Sequence, residues 1–357
     1  MALLTRFREI LERAGYGEFC ACFAPDAPRR GKWAQFRDHA SPELQTLLDV
    51  FLLGRTAPLE DLPGGLREIV PHLEEIALVK REGAGLRTNH LALYVVAGIW
   101  LFFEAHTSNP KLYFGDDSFG LLNRLRPVKG GRTLDLCAGP GVQALYCARI
   151  ARSVTAVEIN PLAAGLGRVN CQLNDIDNVR FVVGDLAGFV SEEKFDHVVC
   201  NPPLLPFPED LDYPFVGHGG ADGWKLVWRV LDALPALLSE SGRAQIIATC
   251  LSDGLVPSVA ERLERWSKTN EMTVLMPIIS HQPLSPSHPY FQGLVQTTVT
   301  SSGKSYKEVA RRFADHLQEL RASHLCSHYL YVARGGNSLE LLDLSTGEIG
   351  SPQFWFA

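Results

Sequence analysis

The sequence predicts an α/β protein: a doubly wound, largely parallel sheet with a smaller helical domain in front of it. Three observations carry this expectation. Between Arg132 and Pro203 lie three apolar runs: R-T-L-D-L-C-A-G-P-G-V from Arg132, S-V-T-A-V-E-I-N from Ser153 and D-H-V-V-C-N-P-P-L from Asp196. Each run ends in a polar or glycine-rich turn, the signature of parallel strands whose carboxyl ends share one sheet edge. Ligands bind at that edge in open α/β sheets. Ahead of these runs, the first 80 residues carry apolar positions at helical spacing instead.

Leu3, Leu4, Phe7, Ile10 and Leu11 form one helical face, which Gly15 can stop. Residues 24–32, A-P-D-A-P-R-R-G-K, read as a solvated loop. Ser41-Pro42-Glu43 is a helix start, with a capping serine and a proline in the first turn. Leu44, Leu47, Leu48, Phe51 and Leu52 give that helix its apolar face, and Gly54 ends it. Residues 66–80 predict a further helix with Pro71 inside it, and residues 86–96 and 98–104 a β pair around Gly98. Helices followed by such a pair suggest a winged-helix-like domain over residues 1–110, with the catalytic domain and its C-terminal extension over 111–357.

In the second domain, residues 133–136 predict a buried strand. Gly139, Pro140 and Gly141 force a tight turn, and residues 142–148 predict a helix. Such a turn lets backbone approach a ligand beside a helix N-terminus. The spacing is D-x-C-x-G-x-G and not the G-x-G-x-x-G of dinucleotide enzymes, which makes a nicotinamide enzyme a distant alternative. Glu158 ends the next strand, where a carboxylate can take both ribose hydroxyls. Residues 162–173 predict a helix, 178–183 the third strand, and Asn201-Pro202-Pro203 stop the fourth, leaving an amide donor and acceptor at the sheet edge. Residues 204–214 form a proline-rich loop at that edge. Further on, 224–238 predict a helix, 243–249 the fifth strand, 256–266 a helix, 273–279 the sixth strand, 305–323 an amphipathic helix, 329–333 the last strand and 339–356 a hairpin over one edge.

The order D-L-C-A-G-P-G, V-E-I-N, G-D-L, N-P-P over residues 113–250 resembles the Rossmann-like class I S-adenosylmethionine-dependent methyltransferases. More narrowly, it resembles the small-domain N-methyltransferases with an NPPY-like motif, among them release-factor glutamine and ribosomal RNA guanine methyltransferases. The resemblance implies S-adenosyl-L-methionine as cofactor. It implies that Asp135, Cys137, Gly139 and Gly141 line its methionine end, that Glu158 binds the ribose, and that Asp185 and Leu186 lie at the adenine. A G-x-D-S-like segment in relatives closes over the cofactor, and here it offers Phe114, Asp117 and Ser118. Asn201 and the Pro202 carbonyl, with Pro203 rigidifying the turn, would accept hydrogen bonds from the acceptor's NH₂ group, and positioning is most of what such a transfer needs.

Two positions depart from the family. Cys137 replaces a glycine, and Leu204 replaces an aromatic that packs on a planar acceptor. Leu204, Phe207, Tyr213 and His218 are the candidate acceptor contacts, with Phe215 as a further substitute aromatic. His218-Gly219-Gly220-Ala221-Asp222-Gly223 resembles the G-G-x-D-G segment of the glutamine methyltransferases, where Asp222 would cap the following helix. A formal net charge of −6 argues against a phosphate backbone as partner. Leu204 and this acidity together favour N-methylation of a small molecule or peptide group. The alternatives are N-methylation of RNA, DNA or a protein glutamine, or a non-methylating protein that uses S-adenosylmethionine.

Composition fits a globular enzyme, with 46% hydrophobic and 21% charged residues. Eight cysteines without a C-x-x-C pair suggest a reduced, cytoplasmic chain and no metal, and Cys20-x-Cys22 reads as two small apolar residues near a turn. The start lacks signal-peptide form, and the longest uncharged run, residues 91–103, falls short of the ~20 needed to span a bilayer. No membrane role is expected. Oligomeric state leaves no mark on the sequence.

Overall fold

The computed structural model describes residues 2–22, 30–105, 109–345 and Trp355. All counts below refer to these. The loop expected at 24–32 lies mostly outside them.

The first helix, α1 (Ala2–Arg13), buries Leu4, Phe7, Ile10 and Leu11, the stripe its spacing predicts. After α2 (Tyr16–Ala21) and α3 (Arg30–Phe36), α4 (Pro42–Leu47) starts where the Ser41 hydroxyl accepts the Leu44 N–H at 3.4 Å. A wider π-helical turn over Leu48–Leu52 extends it, followed by the short β1 (Ala57–Pro58). The single helix expected over 66–80 does not form. Two short helices, α5 (Gly64–Arg67) and α6 (Val70–Glu75), take its place, because Pro71 has no N–H to give and is tolerated only in the first turn of the second. The chain then turns into β2 (Val79–Glu82), which pairs with β3 (Gly85–Thr88), itself paired with β1. The run expected over 86–96 is likewise two elements, since His90 adopts φ 63° between β3 and β4 (Leu91–Val96). Across Gly98, β4 pairs antiparallel with β5 (Ile99–Glu104).

The second half opens with α7 (Asp116–Leu122). It continues as β6 (Arg132–Leu136), α8 (Val142–Ala148), β7 (Ser153–Glu158), α9 (Pro161–Leu173), β8 (Val179–Val183) and β9 (Phe195–Cys200). Then follow α10 (Lys225–Leu237), β10 (Leu238–Ser252), α11 (Ala260–Thr269), β11 (Met272–Pro283), α12 (Pro289–Ser302), α13 (Tyr306–Glu319), β12 (His324–Arg334) and β13 (Leu339–Asp343). Eight of these strands form one sheet in the order β13-β11-β12-β10-β9-β6-β7-β8. It is the Rossmann-like sheet expected: β6, β7, β8, β9 and β10 run parallel, and β12 lies antiparallel between β10 and β11. Winding reverses between β6 and β9, so a crevice opens above their carboxyl ends. Leu339–Asp343 adds a strand parallel to β11, not a hairpin, and beyond residue 345 that stretch lies outside the described residues except Trp355, which packs on Tyr329 at 6.0 Å.

The N-terminal elements share one apolar core with α8 and α9. Two asparagines one turn apart, Asn170 on α9 and Asn174 at its C-cap, dock the free edge of β5. Asn170 Oδ1 accepts the Phe102 N–H and Asn174 Oδ1 the Trp100 N–H, both at 2.9 Å, while their amide groups donate to the same residues' carbonyls. Asn170 Nδ2 also donates to the Pro140 carbonyl at 2.9 Å. The N-terminal hairpin is thereby tied to the glycine turn. On the opposite face α10 and α11 cover the sheet, and a third cluster joins α12 and α13 to the loop after β9.

Candidate active site

The glycine turn after β6 is held from its neighbour. Glu158, at the end of β7 and 8% exposed, accepts the Gly139 N–H through Oε2 and the Asn160 N–H through Oε1, both at 2.7 Å. Gly141 sits at φ 94°, where a side chain is strained, and a β-carbon there would lie 2.9 Å from the Phe181 ring. Cys137 has φ 60°, the left-handed region that costs a non-glycine residue roughly 1–2 kcal/mol. Its small side chain leans on the Cys200 thiol beneath. Asp135 lies under the turn, 1% exposed, accepting the Ala144 N–H of α8. Burial pushes its pKa well up, and its second oxygen, Oδ2, has no partner.

Across the crevice, the end of β9 meets the start of α7. Asn201 Nδ2 donates to Ser118 Oγ at 3.1 Å, and Ser118 Oγ also accepts the Gly115 N–H at 3.4 Å. Asp117 accepts the Tyr113 hydroxyl at 2.9 Å and a further hydrogen bond from Asn201. With both acceptors on its amide nitrogen side, the orientation of Asn201 is set. Its carbonyl Oδ1 is then buried with no hydrogen-bond partner. An orphaned acceptor at a strand end, beside an open crevice, is a place for a ligand's N–H.

The loop after β9 is folded on the glycine-rich segment that follows it. Leu205 and Gly217 to Gly219 exchange backbone hydrogen bonds at 2.8–2.9 Å, and Thr249 Oγ1 donates to the Leu204 carbonyl. Gly223, at φ 85°, packs so closely that a β-carbon would lie 2.7 Å from the Thr249 carbonyl and 2.9 Å from that of Leu204. Asp222 Oδ1 accepts the Trp224 N–H at 2.9 Å ahead of α10. Tyr213 stacks on Phe207 with ring centroids 3.8 Å apart.

Between these parts lies a cavity of about 950 Å³. Of the residues expected there, Ser118, Cys137, Gly139, Glu158, Asp185, Leu186, Asn201, Pro203, Tyr213 and His218 line it. Others stand behind its wall. Phe114 is in the core against Phe103, and Asp117, Asp135, Gly141 and Pro202 are buried supports. Leu204 is only 5% exposed because its chain is clamped between Thr249 and Gly219, so its side chain belongs to the core and not to an acceptor platform. Phe207 is fully buried beneath Tyr213. His218 is in the lining, and its Nδ1 accepts the Gly220 N–H at 3.2 Å. Sequence reasoning missed Tyr113, Gln143, Asn160, Lys225, Arg229 and Ser301 in the lining.

Residues 116–251 match the family model of the methyltransferase small domain. Over 152 residues the chain is 35% identical to a putative protein N5-glutamine methyltransferase of Methanocaldococcus jannaschii, an alignment that covers 40% of this chain and 75% of that protein. The chain belongs to this methyltransferase family. The methyltransferase is also 31% identical over 127 residues to the ribosomal protein uL3 glutamine methyltransferase of Bordetella pertussis, covering 32% of this chain and 43% of that one. It is 31% identical over 124 residues to the release factor glutamine methyltransferase of Thermodesulfovibrio yellowstonii, covering 32% and 44%. It therefore spans less than half the length of the last two relatives. The methyltransferase is an S-adenosylmethionine-dependent enzyme, as its motif order implied.

The cavity fits that cofactor. One end offers a carboxylate, Glu158, fixed by two backbone donors but with lone pairs to spare for hydroxyls. The glycine turn offers a surface without side chains, and Asp135 Oδ2 supplies an unpaired acceptor beneath it. Among the described residues no helix is long and apolar enough to cross a membrane.

Asp117 links the methyltransferase to pH. Burial is the main cause that pushes its pKa up to about 6, with Asp116 adding to it, while the hydrogen bonds from Tyr113, the Ser118 backbone and Asn201 oppose the shift. The folded state thus holds the proton more tightly than the unfolded one. This group stabilises the fold below its unfolded pKa and loses that contribution, roughly 3 kcal/mol, as pH rises through about 6. The ionised form is the one that can accept from both Tyr113 and Asn201. Turnover should fall as pH drops below about 6. The Asp117→Asn enzyme should lose that acid limb and melt at a higher temperature than the parent at pH 8. A pH–rate profile and thermal unfolding at pH 5 and 8 measure both, and an unchanged acid limb in the variant would sink the assignment.

Proposed function

We propose that the enzyme methylates a side-chain amide nitrogen, that of a glutamine in a protein or peptide, held at Asn201-Pro202-Pro203. The observation that carries this is the buried, unpartnered Oδ1 of Asn201. It can accept one N–H of an NH₂ group, and the Pro202 carbonyl is the second acceptor the motif provides. Two acceptors on one NH₂ fix the amide plane and raise electron density on its nitrogen. Ser118 and Asp117 keep Asn201 from turning, so the alignment is made before the acceptor arrives. In this reading Glu158 and Asp185 hold the ribose and adenine, and Cys137 and Gly139 lie along the methionine arm. S-adenosylmethionine, when bound, supplies an electrophilic methyl group. Tyr213, in the lining, offers the flat surface that Leu204 lacks.

The relatives named above act, by name, on glutamine in proteins. This moves the preferred acceptor from a small molecule to a polypeptide. The test is methyl transfer from labelled S-adenosylmethionine into a lysate of the source organism, separated into protein, nucleic acid and small molecules. Label is expected in protein, and acid hydrolysis should release it as methylamine, the fate of an N-methylated amide. Label in small molecules would return the acceptor to the metabolite class that acidity first suggested, and label in RNA or DNA would overturn the amide assignment.

A further inference from the structure

Away from the cavity, on the face of the sheet covered by α10 and α11, lies a cluster that methyl transfer does not use. Cys250 on β10 and Cys326 on β12 are direct cross-strand partners. His328 follows Cys326 by two residues and so shares its face. All three are fully buried. Their donor atoms lie within 4.8 Å of one another, with His328 Nδ1 3.9 Å from Cys326 Sγ. We propose that Cys250, Cys326 and His328 bind a thiophilic d¹⁰ cation, zinc(II), which ties β10 to β12.

Three physical arguments support the site. The first is geometry. Tetrahedral zinc with Zn–S about 2.3 Å and Zn–N about 2.0 Å separates its donors by roughly 3.5–3.8 Å, so the three groups need move only slightly to share one ion. The second is satisfaction. His328 Nδ1, the ring nitrogen beside the Cys326 sulfur, has only that sulfur and the Cys326 carbonyl at 3.2 Å as polar neighbours. A buried imidazole whose ring lies 5.5 Å from that of Trp224 is a costly core residue without a ligand to bind. The third is charge. Two thiolates and a neutral imidazole cancel a dication, which a buried site requires. The protein supplies three donors, leaving one coordination position to a small exogenous ligand. Cys250 adjoins Thr249, whose hydroxyl holds the Leu204 carbonyl, so the ion would brace the strand that carries the acceptor loop.

The full chain, made without a metal-affinity tag in zinc-supplemented medium, is analysed for metals by plasma mass spectrometry. About one equivalent of zinc per chain is expected, retained through dialysis against chelator and released on unfolding. Refolding with cobalt(II) should give a thiolate-to-cobalt charge-transfer band in the near ultraviolet. The C326S and H328Q variants should lose that band and most of the zinc. The unsubstituted protein keeps the test decisive if the variants fail to fold. Absence of both zinc and the cobalt band in the folded parent overturns the site, and so does a peptide map that finds Cys250 joined to Cys326 in a disulfide.

Discussion

Asn201→Ala should lower methyl transfer by about 10²–10³-fold while leaving the affinity for S-adenosylmethionine within a few-fold of the parent. The substitution removes the orphaned acceptor at the end of β9, and with it the alignment of the acceptor nitrogen. Losses of that size accompany removal of a single positioned hydrogen bond, or a misplacement of about 1 Å, in other enzymes. It also frees Ser118 Oγ and Asp117 from the Asn201 amide, so α7 is less well tied to β9. Asn201→Asp separates these contributions. It keeps an acceptor at the same place but puts a negative charge beside Asp117, and the two carboxyls should then titrate as a pair, shifting the pH profile upward. Single-turnover rates and cofactor titration by calorimetry measure the effects. Equal losses in turnover and cofactor affinity would make Asn201 a structural residue instead of a positioning one.

Much of this site is legible in the sequence because it is local. Strand, tight turn and helix are encoded within the seventeen residues from Arg132 to Ala148, and Glu158 stands at the end of the adjacent strand. Glycine in the left-handed region and proline at a strand end are constraints of single residues, so they show without a partner. Cys137 shows the same rule in reverse. The position demands positive φ, and the sequence carries a small residue there that tolerates it at a cost.

What the sequence does not show depends on distant partners. Leu204 looked like a defective acceptor contact, but its direction is set by Thr249, 45 positions later, and by the close approach of Gly219 and Gly223. The docking of β5 on Asn170 and Asn174 has no sequence signature, since asparagine in a helix usually signals an end and not a ladder of hydrogen bonds. The whole of α12 escaped notice for a related reason. Its Q-T-T-V-T-S-S run has poor helix propensity, and it is held by burial of Phe291, Leu294 and Val295 against α13, while Thr297, Thr298, Thr300 and Ser301 turn their hydroxyls back onto carbonyls one turn earlier. Ser301 then reaches the cavity lining from an element the sequence did not announce. Pro71, in contrast, was visible as a breaker, and only the strand that follows it was not.

Glu158→Ala should weaken S-adenosylmethionine binding by 10²-fold or more and lower the melting temperature by several degrees. The carboxylate accepts two backbone N–H groups at 2.7 Å, those of Gly139 and Asn160. Hydrogen bonds to a charged acceptor contribute about 1.5–3 kcal/mol each, and buried donors left without partners cost a similar amount. Losing both therefore costs at least 3 kcal/mol, which falls partly on the fold and partly on the cofactor, because Gly139 lies in the cavity wall. Glu158→Gln tells the two apart. One of its terminal atoms is an NH₂ group, which cannot accept, so one backbone donor loses its partner while the side-chain volume stays the same. An intermediate loss in both stability and affinity is the expected result. Should Gln bind cofactor as tightly as Glu, the carboxylate would be a clamp on the glycine turn through one oxygen alone, and the ribose would have to be held elsewhere in the cavity, whose lining also holds the carboxylates of Asp185 and Asp212.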